Sequence, residues 1–390
     1  MAKKWDLFKG FFQSEKASGF ILIGCTLISM LIANSNVGEK YVNLWHSHLD
    51  LSFLGLNYSY EHWVNDGLMA IFFLLVGLEI ERELYIGELS DFKHAILPIL
   101  AAAGGMVVPA LLHFIFNAGT NTQSGFGIPM ATDIAFALGI LSLAGKRVPV
   151  SLKIFLTALA IIDDLGAITV IALFYTKSFN LYFFLGALMV FLILFILGKK
   201  RVYWLPIYLA GGIVMWYLML KSGVHATIAG VLLAFAIPFH KEDDKNPSYH
   251  LQHFLHNPVA FIILPIFALA NTAIIFPKNV LEGFTSSNSI GIITGLVLGK
   301  FLGIFLFTFL AVKFKVATLS TDITWRQIAG AACLGGIGFT MSIFITNLAF
   351  NDPEIINNSK ISILFASLLA SVTGLAILKK AKSKRLLQLL

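Results

Sequence analysis

Two adjacent aspartates, Asp163 and Asp164, lie near the middle of the long apolar stretch 151–175. A stretch of about 20 apolar residues is long enough to cross a lipid bilayer as a helix. One aspartate at the centre of such a helix costs roughly 2.5–3.5 kcal/mol on insertion scales, so aspartates there usually mark an ion or proton path. Carboxylate oxygens suit a hard cation, and the same groups bind protons. The pair therefore predicts a site at which a monovalent cation and protons compete.

One more carboxylate and one amine fall at the same predicted depth in other apolar segments. Asp133 and Lys300 each lie near the middle of such a segment, and the glycine-rich stretch 335–338 lies near the middle of a third. Four isolated charges at that depth would together cost on the order of 10 kcal/mol, so we expect them to cluster, pair or hydrate one another. The alternative is that the two adjacent aspartates are structural hydrogen-bonding groups in the interior of a helix bundle.

The elements that position these residues are predicted to be membrane-spanning helices. The chain is 57% hydrophobic and only 13% charged, whereas soluble domains carry about 25% charged residues. Its apolar runs are long and continuous, which is typical of helices and not of the alternating strands of a membrane barrel. We therefore predict an all-α integral membrane protein in which residues 1–390 form a single polytopic domain. Twelve transmembrane helices are expected, at roughly 19–34, 62–80, 95–116, 125–144, 151–175, 181–198, 203–220, 223–239, 256–276, 289–312, 326–350 and 359–378.

Basic residues are distributed unevenly between the two sides of the predicted spans. Both termini and the loops on the same side are rich in lysine and arginine, whereas the opposite loops hold few. By the positive-inside rule this bias places both termini in the cytoplasm, and it accounts for the net charge of +7 without a nucleic-acid partner. We expect the first apolar run to remain as a span, although a basic N-terminus before apolar residues is also the pattern of a signal peptide.

The fourth and eleventh predicted spans contain residues that weaken helices. The fourth has two glycines and Pro129 shortly before Asp133, and the eleventh has the glycine-rich stretch 335–338. Glycine and proline both disfavour a helix interior. Two such breaks at corresponding places are the best indicator of a transporter site that a sequence offers. The alternative is that the glycines only allow neighbouring helices to pack closely.

These two broken spans run in opposite directions across the membrane, as members of an inverted repeat must. We expect the repeats at about 95–175 and 289–378, and we expect the two broken helices to cross. Helix ends carry partial charges of about +0.5 at N-termini and −0.5 at C-termini. At such a crossing, Asp133 would neutralise the positive ends and Lys300 the negative ends.

The segment between the first two spans predicts a short external β-hairpin at about 45–58. Leu49 and Leu51 flank Asp50, and Gly55 follows as a turn residue. Alternation of apolar and polar residues with a period of two is the pattern of a strand. The predicted topology places this hairpin outside the membrane, on the side opposite to the termini.

Four motifs together resemble the NhaA sodium/proton antiporters of bacterial inner membranes. These motifs are Ala131-Thr132-Asp133, Asp163-Asp164, Lys300 and Gly335-Gly336-Ile337-Gly338-Phe339-Thr340. The resemblance covers nearly the whole chain and implies a twelve-helix fold with two broken helices. It implies electrogenic exchange, in which two protons enter for each sodium or lithium ion that leaves, without a cofactor. It also implies a homodimer in the bacterial plasma membrane, joined by the external hairpin.

The resemblance also assigns roles to the residues of the site. It implies that Asp164 binds the transported sodium or lithium together with Asp163, and that Lys300 pairs with Asp163. It implies that Thr132 and Asp133 lie beside this site. We therefore expect Asp163, Asp164 and Thr132 to be the cation ligands.

A second group of residues matches the positions that the family links to its response to pH. They are Glu79, Glu83, His225, His253 and His256, and Asp66 matches a further acidic position. Two residues of this region depart from the family pattern. Gln252 stands where a glutamate is expected, and Glu81 stands where a basic residue is expected. Both departures are expected to shift the pH set point and to leave the transport site unchanged.

Three other functions compete with an antiporter. A cation channel lines its pore with rings of carbonyls or charges, whereas here few charges lie beside two broken antiparallel helices, which favours alternating access. An intramembrane aspartyl protease that used Asp133 and Asp163 would give Lys300 no role, and the Gly-x-Gly-Asp and Tyr-Asp contexts of such proteases are missing. A sodium-coupled solute symporter remains a closer alternative, because a sequence alone does not exclude a pocket for an organic substrate.

Overall fold

The computed structural model describes residues 2–52, 55–145, 148–176, 179–239, 246–276 and 280–381. Most of these residues are helical, and two short strands are also present. In chain order the helices are α1 Ala2–Ala33, α2 Gly38–His46, α3 Tyr60–Tyr85, α4 Phe92–Asn117, α5 Ile134–Leu143, α6 Val150–Phe174, α7 Leu181–Lys199, α8 Leu205–Ser222, α9 Ile228–Ala236, α10 Pro247–Asn271, α11 Val280–Phe284, α12 Ser287–Lys313, α13 Trp325–Leu334, α14 Phe339–Ala349 and α15 Pro353–Lys380.

Some helical segments depart from α geometry. A 3-10 helix, Gln123–Met130, precedes α5, and a short 3-10 turn, Glu88–Ser90, precedes α4. Three of the long helices contain a wider, π-helical turn: Trp63–Leu68 in α3, Val259–Ile263 in α10 and Gly295–Gly299 in α12. Such turns are rare and occur frequently at functional sites.

Eight of the described helices are long and apolar enough to cross a membrane. Three bent pairs raise the number to as many as eleven if each pair is one span: Ala17–Ala33 with α2, the 3-10 helix with α5, and α13 with α14. The prediction of an all-α, multi-pass membrane protein is confirmed. The number twelve remains a prediction, because the segment predicted at 223–239 contains only the 9-residue helix α9. Gly223 ends α8 with a left-handed φ of 80°, which delays the start of the next helix.

The chain forms two compact units, and each is assembled from separate stretches of sequence. The first, called the Lys300 unit, comprises Met1–Ile21, Glu88–Ala167 and Pro277–Leu390. The second, called the His225 unit, comprises Leu22–Gly87 and Ile168–Phe276. The predicted repeats at 95–175 and 289–378 fall mainly within the Lys300 unit, and their relation by symmetry remains a prediction.

The core of the Lys300 unit is an apolar cluster that contains buried residues such as Leu141, Leu156 and Ile304. On one side of it, α4 and α12 approach so closely that their backbones touch. A Cβ atom added to Gly303 would lie only 2.6 Å from the carbonyl carbon of Gly104. Since backbone atoms cannot move aside as a flexible side chain can, glycine is needed at this crossing. The contact fixes the position of α12 against α4.

The replacement Gly303→Ala is expected to destabilise the protein, although alanine favours a helix more than glycine does. The added methyl group overfills the crossing with Gly104, and overpacking typically costs about 1–3 kcal/mol. Thermal unfolding in detergent measures the effect. Gly24→Ala is the matched control, because no atom lies within 4 Å of a Cβ at that helical glycine. An unfolding temperature of Gly303→Ala equal to or above that of Gly24→Ala would contradict the close crossing.

The two strands, both in the His225 unit, pair with each other. Strand β1 is His48–Leu51 and strand β2 is Leu56–Ser59, and they run antiparallel with His48 opposite Ser59 and Leu51 opposite Leu56. The pair overlaps the predicted segment 45–58 and extends one residue past it, to Ser59. Residues 53 and 54 of that segment lie outside the described residues. Nζ of Lys221, near the end of α8, donates to the carbonyl oxygen of Gly55 at 2.6 Å. The placement of this pair outside the membrane remains a prediction.

Candidate cation site

Two chain breaks meet inside the Lys300 unit. The 3-10 helix and α5 are bent by 43° around residues 131–133, and α13 and α14 are bent by 42° around residues 335–338. The backbone N–H of Asp133 donates to the carbonyl oxygen of Ile337 at 2.6 Å. The hydroxyl of Ser342 on α14 donates to the carbonyl oxygen of Ile128 at 2.7 Å. The breaks therefore lie where glycine and proline predicted them, and they contact each other directly.

The carboxylate of Asp133 caps two helix N-termini at this meeting point. Its Oδ1 accepts from the backbone N–H of Phe136 at 2.9 Å, in the first turn of α5. Its Oδ2 accepts from the backbone N–H of Thr340 at 3.1 Å and from the Thr340 hydroxyl at 2.6 Å, at the start of α14. An anion is stabilised by the partial positive charge of a helix N-terminus. The buried Asp133 side chain thus joins both broken spans at their positive ends.

Lys300 and Asp163 form an ion pair that is fully buried. Nζ of Lys300 donates to Oδ2 of Asp163 at 2.5 Å, and both side chains have 0% exposure. The same Nζ also donates to the hydroxyl oxygen of Thr132 at 3.1 Å. Two charges leave water at considerable cost, which their attraction offsets only when the geometry is good, and removal of one partner typically costs 3–5 kcal/mol. A group that separates this pair must therefore supply a positive charge to Asp163 in place of the ammonium group.

The hydroxyl of Thr132 connects the ion pair to the second chain break. Its Oγ1 lies 2.8 Å from Oδ2 of Asp163 and 2.8 Å from the carbonyl oxygen of Gly335, at the C-terminal end of α13. A hydroxyl has one proton to donate, so it donates to one of these oxygens at a time. The site therefore contains a hydrogen bond that can switch between a carboxylate and a helix-end carbonyl.

Asp164, the neighbour of Asp163 on α6, is also buried, with 3% exposure. It lies close enough to Lys300 to interact with it electrostatically. Oδ1 of Asp163 has no hydrogen-bond partner within the part of the chain that the structure describes. Two carboxylates, the Thr132 hydroxyl and the Gly335 carbonyl thus supply several oxygen atoms in one buried region. Hard cations bind oxygen atoms of these types.

The residues predicted to respond to pH all belong to the His225 unit. The ring of His225 is bonded through Nε2 to the carbonyl oxygen of Tyr175 at 2.8 Å. Glu83 accepts from Arg82 at 2.9 Å, while Gln252 on α10 is buried. His253 is bonded through Nδ1 to the carbonyl oxygen of Tyr249, one turn earlier in α10. Glu79 lies on α3, two residues before Glu81. His256 follows His253 by three residues on α10. Oδ2 of Asp66 lies 3.1 Å from Nε2 of His62.

Sequence reasoning missed two partners of predicted residues. Thr340 was not expected to hold Asp133, and Ser248 was not expected to donate to Glu81, which it does at 2.8 Å. The first had a local signal, because a threonine directly after the glycine-rich stretch 335–338 stands at a new helix start. The second had none, because it joins α3 to α10 across 167 residues of sequence.

Comparisons of the sequence with known proteins find similar transporters. The sequence model of the family "Na+/H+ antiporter 1" matches residues 9–378. An Na(+)/H(+) antiporter NhaA of Dechloromonas aromatica is 60% identical over 371 residues, which are 94% of this chain and 94% of that protein. Antiporters of the same name from Cytophaga hutchinsonii and Flavobacterium psychrophilum are each 57% identical, over 97% and 96% of this chain and 96% of each relative.

Proposed function

The chain belongs to the Na+/H+ antiporter 1 family, and on this premise we propose that it exports sodium across the membrane in exchange for protons. A member of an antiporter family is a transporter and not an enzyme. The observation that carries the proposal is the buried ion pair of Lys300 and Asp163, with Asp164 as the next residue. A carboxylate that is paired with an ammonium group can exchange that partner for a metal cation.

Competition for one carboxylate is the proposed coupling step. Sodium bound by Asp163 and Asp164, with Thr132 as a further ligand, displaces the ammonium group of Lys300 from Asp163. An ammonium group left in a buried site without its carboxylate is strongly disfavoured, so it releases its proton. Protonation of Lys300 from the opposite side of the membrane restores the pair and expels the sodium. Binding of sodium and binding of protons thus exclude each other.

We propose a ratio of two protons per sodium, which makes the exchange electrogenic. Lys300 carries one proton and Asp164 carries the other. Two positive charges enter for each one that leaves, so every cycle moves one net charge inward. Lithium is proposed as a second substrate, because it is a monovalent cation with the same preference for oxygen ligands. The crossing broken helices would open alternately to the two sides, as members of inverted repeats.

Further properties are proposed on the basis of the family resemblance. The protein lies in the bacterial plasma membrane with both termini in the cytoplasm, and it forms a homodimer through the strand pair β1–β2. It responds to pH through Glu79, Glu83, His225, Gln252, His253 and His256 in the His225 unit. No cofactor takes part, since sodium or lithium and protons are the transported ions.

The experiment that tests the function uses everted membrane vesicles that contain the protein. Respiration acidifies the vesicle interior, and a fluorescent amine reports the pH gradient. Addition of sodium is expected to collapse the gradient, whereas addition of the same concentration of potassium leaves it intact. A gradient that sodium does not alter, in vesicles with correctly inserted protein, would contradict sodium/proton exchange.

The replacement Gln252→Glu is expected to shift the pH at which exchange begins, with little change in the maximal rate. Gln252 lies one helical turn after Ser248 on the buried face of α10, and Ser248 donates to the buried carboxyl of Glu81. A carboxyl one helical turn from the hydroxyl that binds Glu81 adds like-charge repulsion that depends on pH. Exchange in vesicles is measured across a range of pH. Gln252→Met, similar in size and uncharged, is the control, and identical pH profiles for the two variants would contradict the role of position 252.

A further inference from the structure

The residue before Lys300 ends a turn that is wider than an α-helical turn. Over Gly295–Gly299, called the wide turn, α12 is π-helical, and the backbone N–H of Lys300 donates to the carbonyl oxygen of Gly295, five residues earlier. A π-helical turn contains one residue more than the α-helical turn it replaces. The helix on either side of it keeps normal α geometry. The span that carries Lys300 therefore contains one extra residue directly before that lysine.

The half of α12 before the wide turn is fixed by buried hydrogen bonds. Oδ1 of Asn288 lies 3.1 Å from Nε2 of His113 on α4, and Nδ2 of Asn288 donates to the hydroxyl of Ser359 on α15 at 2.7 Å. Because Oδ1 can only accept, His113 donates from Nε2. Nδ2 of Asn117 donates to the carbonyl oxygen of Ser287 at 3.1 Å. These bonds hold the first turn of α12 against α4 and α15.

The half of α12 after the wide turn is fixed by close packing. Gly303 meets the backbone of Gly104, as described above. One residue later, a Cβ atom on Gly105 would lie 2.8 Å from Cγ1 of Ile304. The same Cβ would lie 3.8 Å from Cδ of Lys300, so α4 also covers the stem of the lysine. This half can neither slide along α4 nor rotate without loss of these contacts.

The wide turn itself rests on two prolines. A Cβ atom on Gly295 would lie 2.8 Å from Cβ of Pro129 in the 3-10 helix, and one on Gly299 would lie 2.7 Å from Cα of Pro109 in α4. Only glycine fits at these two points. The wide turn thus contains one extra residue and two glycines, which have no side chain to hinder a change of backbone conformation. It lies between two halves of α12 that are both held in place. The wide turn can therefore change only its position along α12.

We propose that the wide turn is a register switch that positions Lys300. In the state described here the extra residue lies before Lys300, and Nζ reaches Asp163 and Thr132. When the extra residue moves past Lys300, that residue rotates by about 100°, the angle of one residue in an α-helix. Both fixed halves keep their register while the lysine turns away from Asp163. This inference rests on the proposed function, in which the ion pair must open once in each cycle.

The decisive variant deletes one residue of the wide turn, the exposed Leu298. The deletion removes the extra residue, converts the turn to α geometry and leaves both halves and the ion pair in register. The variant is therefore expected to fold with an unfolding temperature at or above that of the wild type. Its sodium/proton exchange is expected to fall by more than about tenfold in turnover, because the lysine can no longer rotate away. Exchange at the wild-type rate in the folded deletion variant would overturn the proposal.

Two controls separate the register switch from general damage. Leu298→Ala keeps the extra residue and is expected to exchange sodium normally. Deletion of Leu306, which is also exposed but lies in regular α-helix beyond Gly303, shifts the register of part of the fixed half and is expected to prevent folding. The wild type in the same vesicles reports whether exchange occurs at all. Failure of the proposed function would therefore appear in the wild type, and failure of the register switch would appear only in the deletion variant.

Hydrogen exchange decides the matter if the Leu298 deletion does not fold. Backbone amides of residues 296–301 in the wild-type protein are compared in sodium and in choline by mass spectrometry. Migration of the wide turn breaks and remakes hydrogen bonds of these amides, so their exchange is expected to change on addition of sodium. Amides around Gly104 and Gly303 are expected to remain unchanged. Equal exchange of residues 296–301 in both solutions would overturn the proposal.

Discussion

Replacement of Asp164 by asparagine is expected to abolish sodium-driven proton movement. The amide keeps the size of the side chain and one oxygen atom, but it removes the negative charge and the group that carries a proton. In the proposed cycle the carboxylates of the buried site must bind either a sodium ion or protons, and their negative charge offsets the charge of these ions. Without Asp164 the site retains a single carboxylate, which the ammonium group of Lys300 already neutralises.

The measurement is collapse of the pH gradient in everted vesicles with matched amounts of inserted protein. Asp352→Asn is the matched control, since it makes the same chemical change at an exposed position that caps α15. Asparagine and aspartate cap a helix about equally well, so this control should exchange sodium normally. If Asp164→Asn kept the rate and the apparent sodium affinity of the wild type, Asp164 would not be the cation ligand.

Replacement of Lys300 by glutamine is expected to make the exchange electroneutral and to destabilise the protein. Loss of the ammonium group leaves Asp163 buried without its cation, and breaking a buried pair typically costs 3–5 kcal/mol. The variant that still folds has lost one of its two proton carriers, so one proton is exchanged for each sodium. Lys300→Arg should keep the ion pair and exchange very slowly, because a guanidinium group stays charged.

Proteoliposomes with a voltage-sensitive dye measure the membrane potential that sodium exchange generates. The control variant is Lys313→Gln, which removes an exposed lysine from the last turn of the same helix. The control should generate the wild-type potential, and Lys300→Gln should generate none at an equal sodium flux. A wild-type potential per sodium in folded Lys300→Gln would show that Lys300 is structural and that the carboxylates carry both protons.

Much of the candidate cation site follows from the sequence, because its determinants are local. Glycine and proline weaken a helix wherever they stand, so the breaks before Asp133 and at 335–338 were predictable. Charges that are buried at the same depth are expected to pair with one another. A contact of the kind that Lys300 makes with Asp163 was therefore predictable. The partial positive charge of helix N-termini explains why Asp133 was expected at helix ends, where the structure places it.

Other features depend on packing between distant segments and leave no local signal. Asn288 and His113 are 175 residues apart, and neither residue type indicates which partner it finds. The wide turn likewise reflects an extra residue between two packed halves, and an apolar sequence with glycines is equally compatible with a plain α-helix. The segment 223–239 is a further example, since its apolar composition does not indicate that Gly223 and the next four residues stay outside the helix.

The ratio of protons to sodium shows whether Lys300 and Asp164 carry one proton each, as proposed. Wild-type proteoliposomes are held at zero membrane potential by potassium and valinomycin, and the sodium gradient that stops net flux is measured. A tenfold proton gradient stores about 1.4 kcal/mol for each proton that crosses. Two protons that move down this gradient therefore balance one sodium ion that moves against a sodium gradient of about a hundredfold. Zero flux is expected at that hundredfold sodium gradient. Zero flux at a tenfold gradient would mean one proton per sodium and would contradict the proposed ratio.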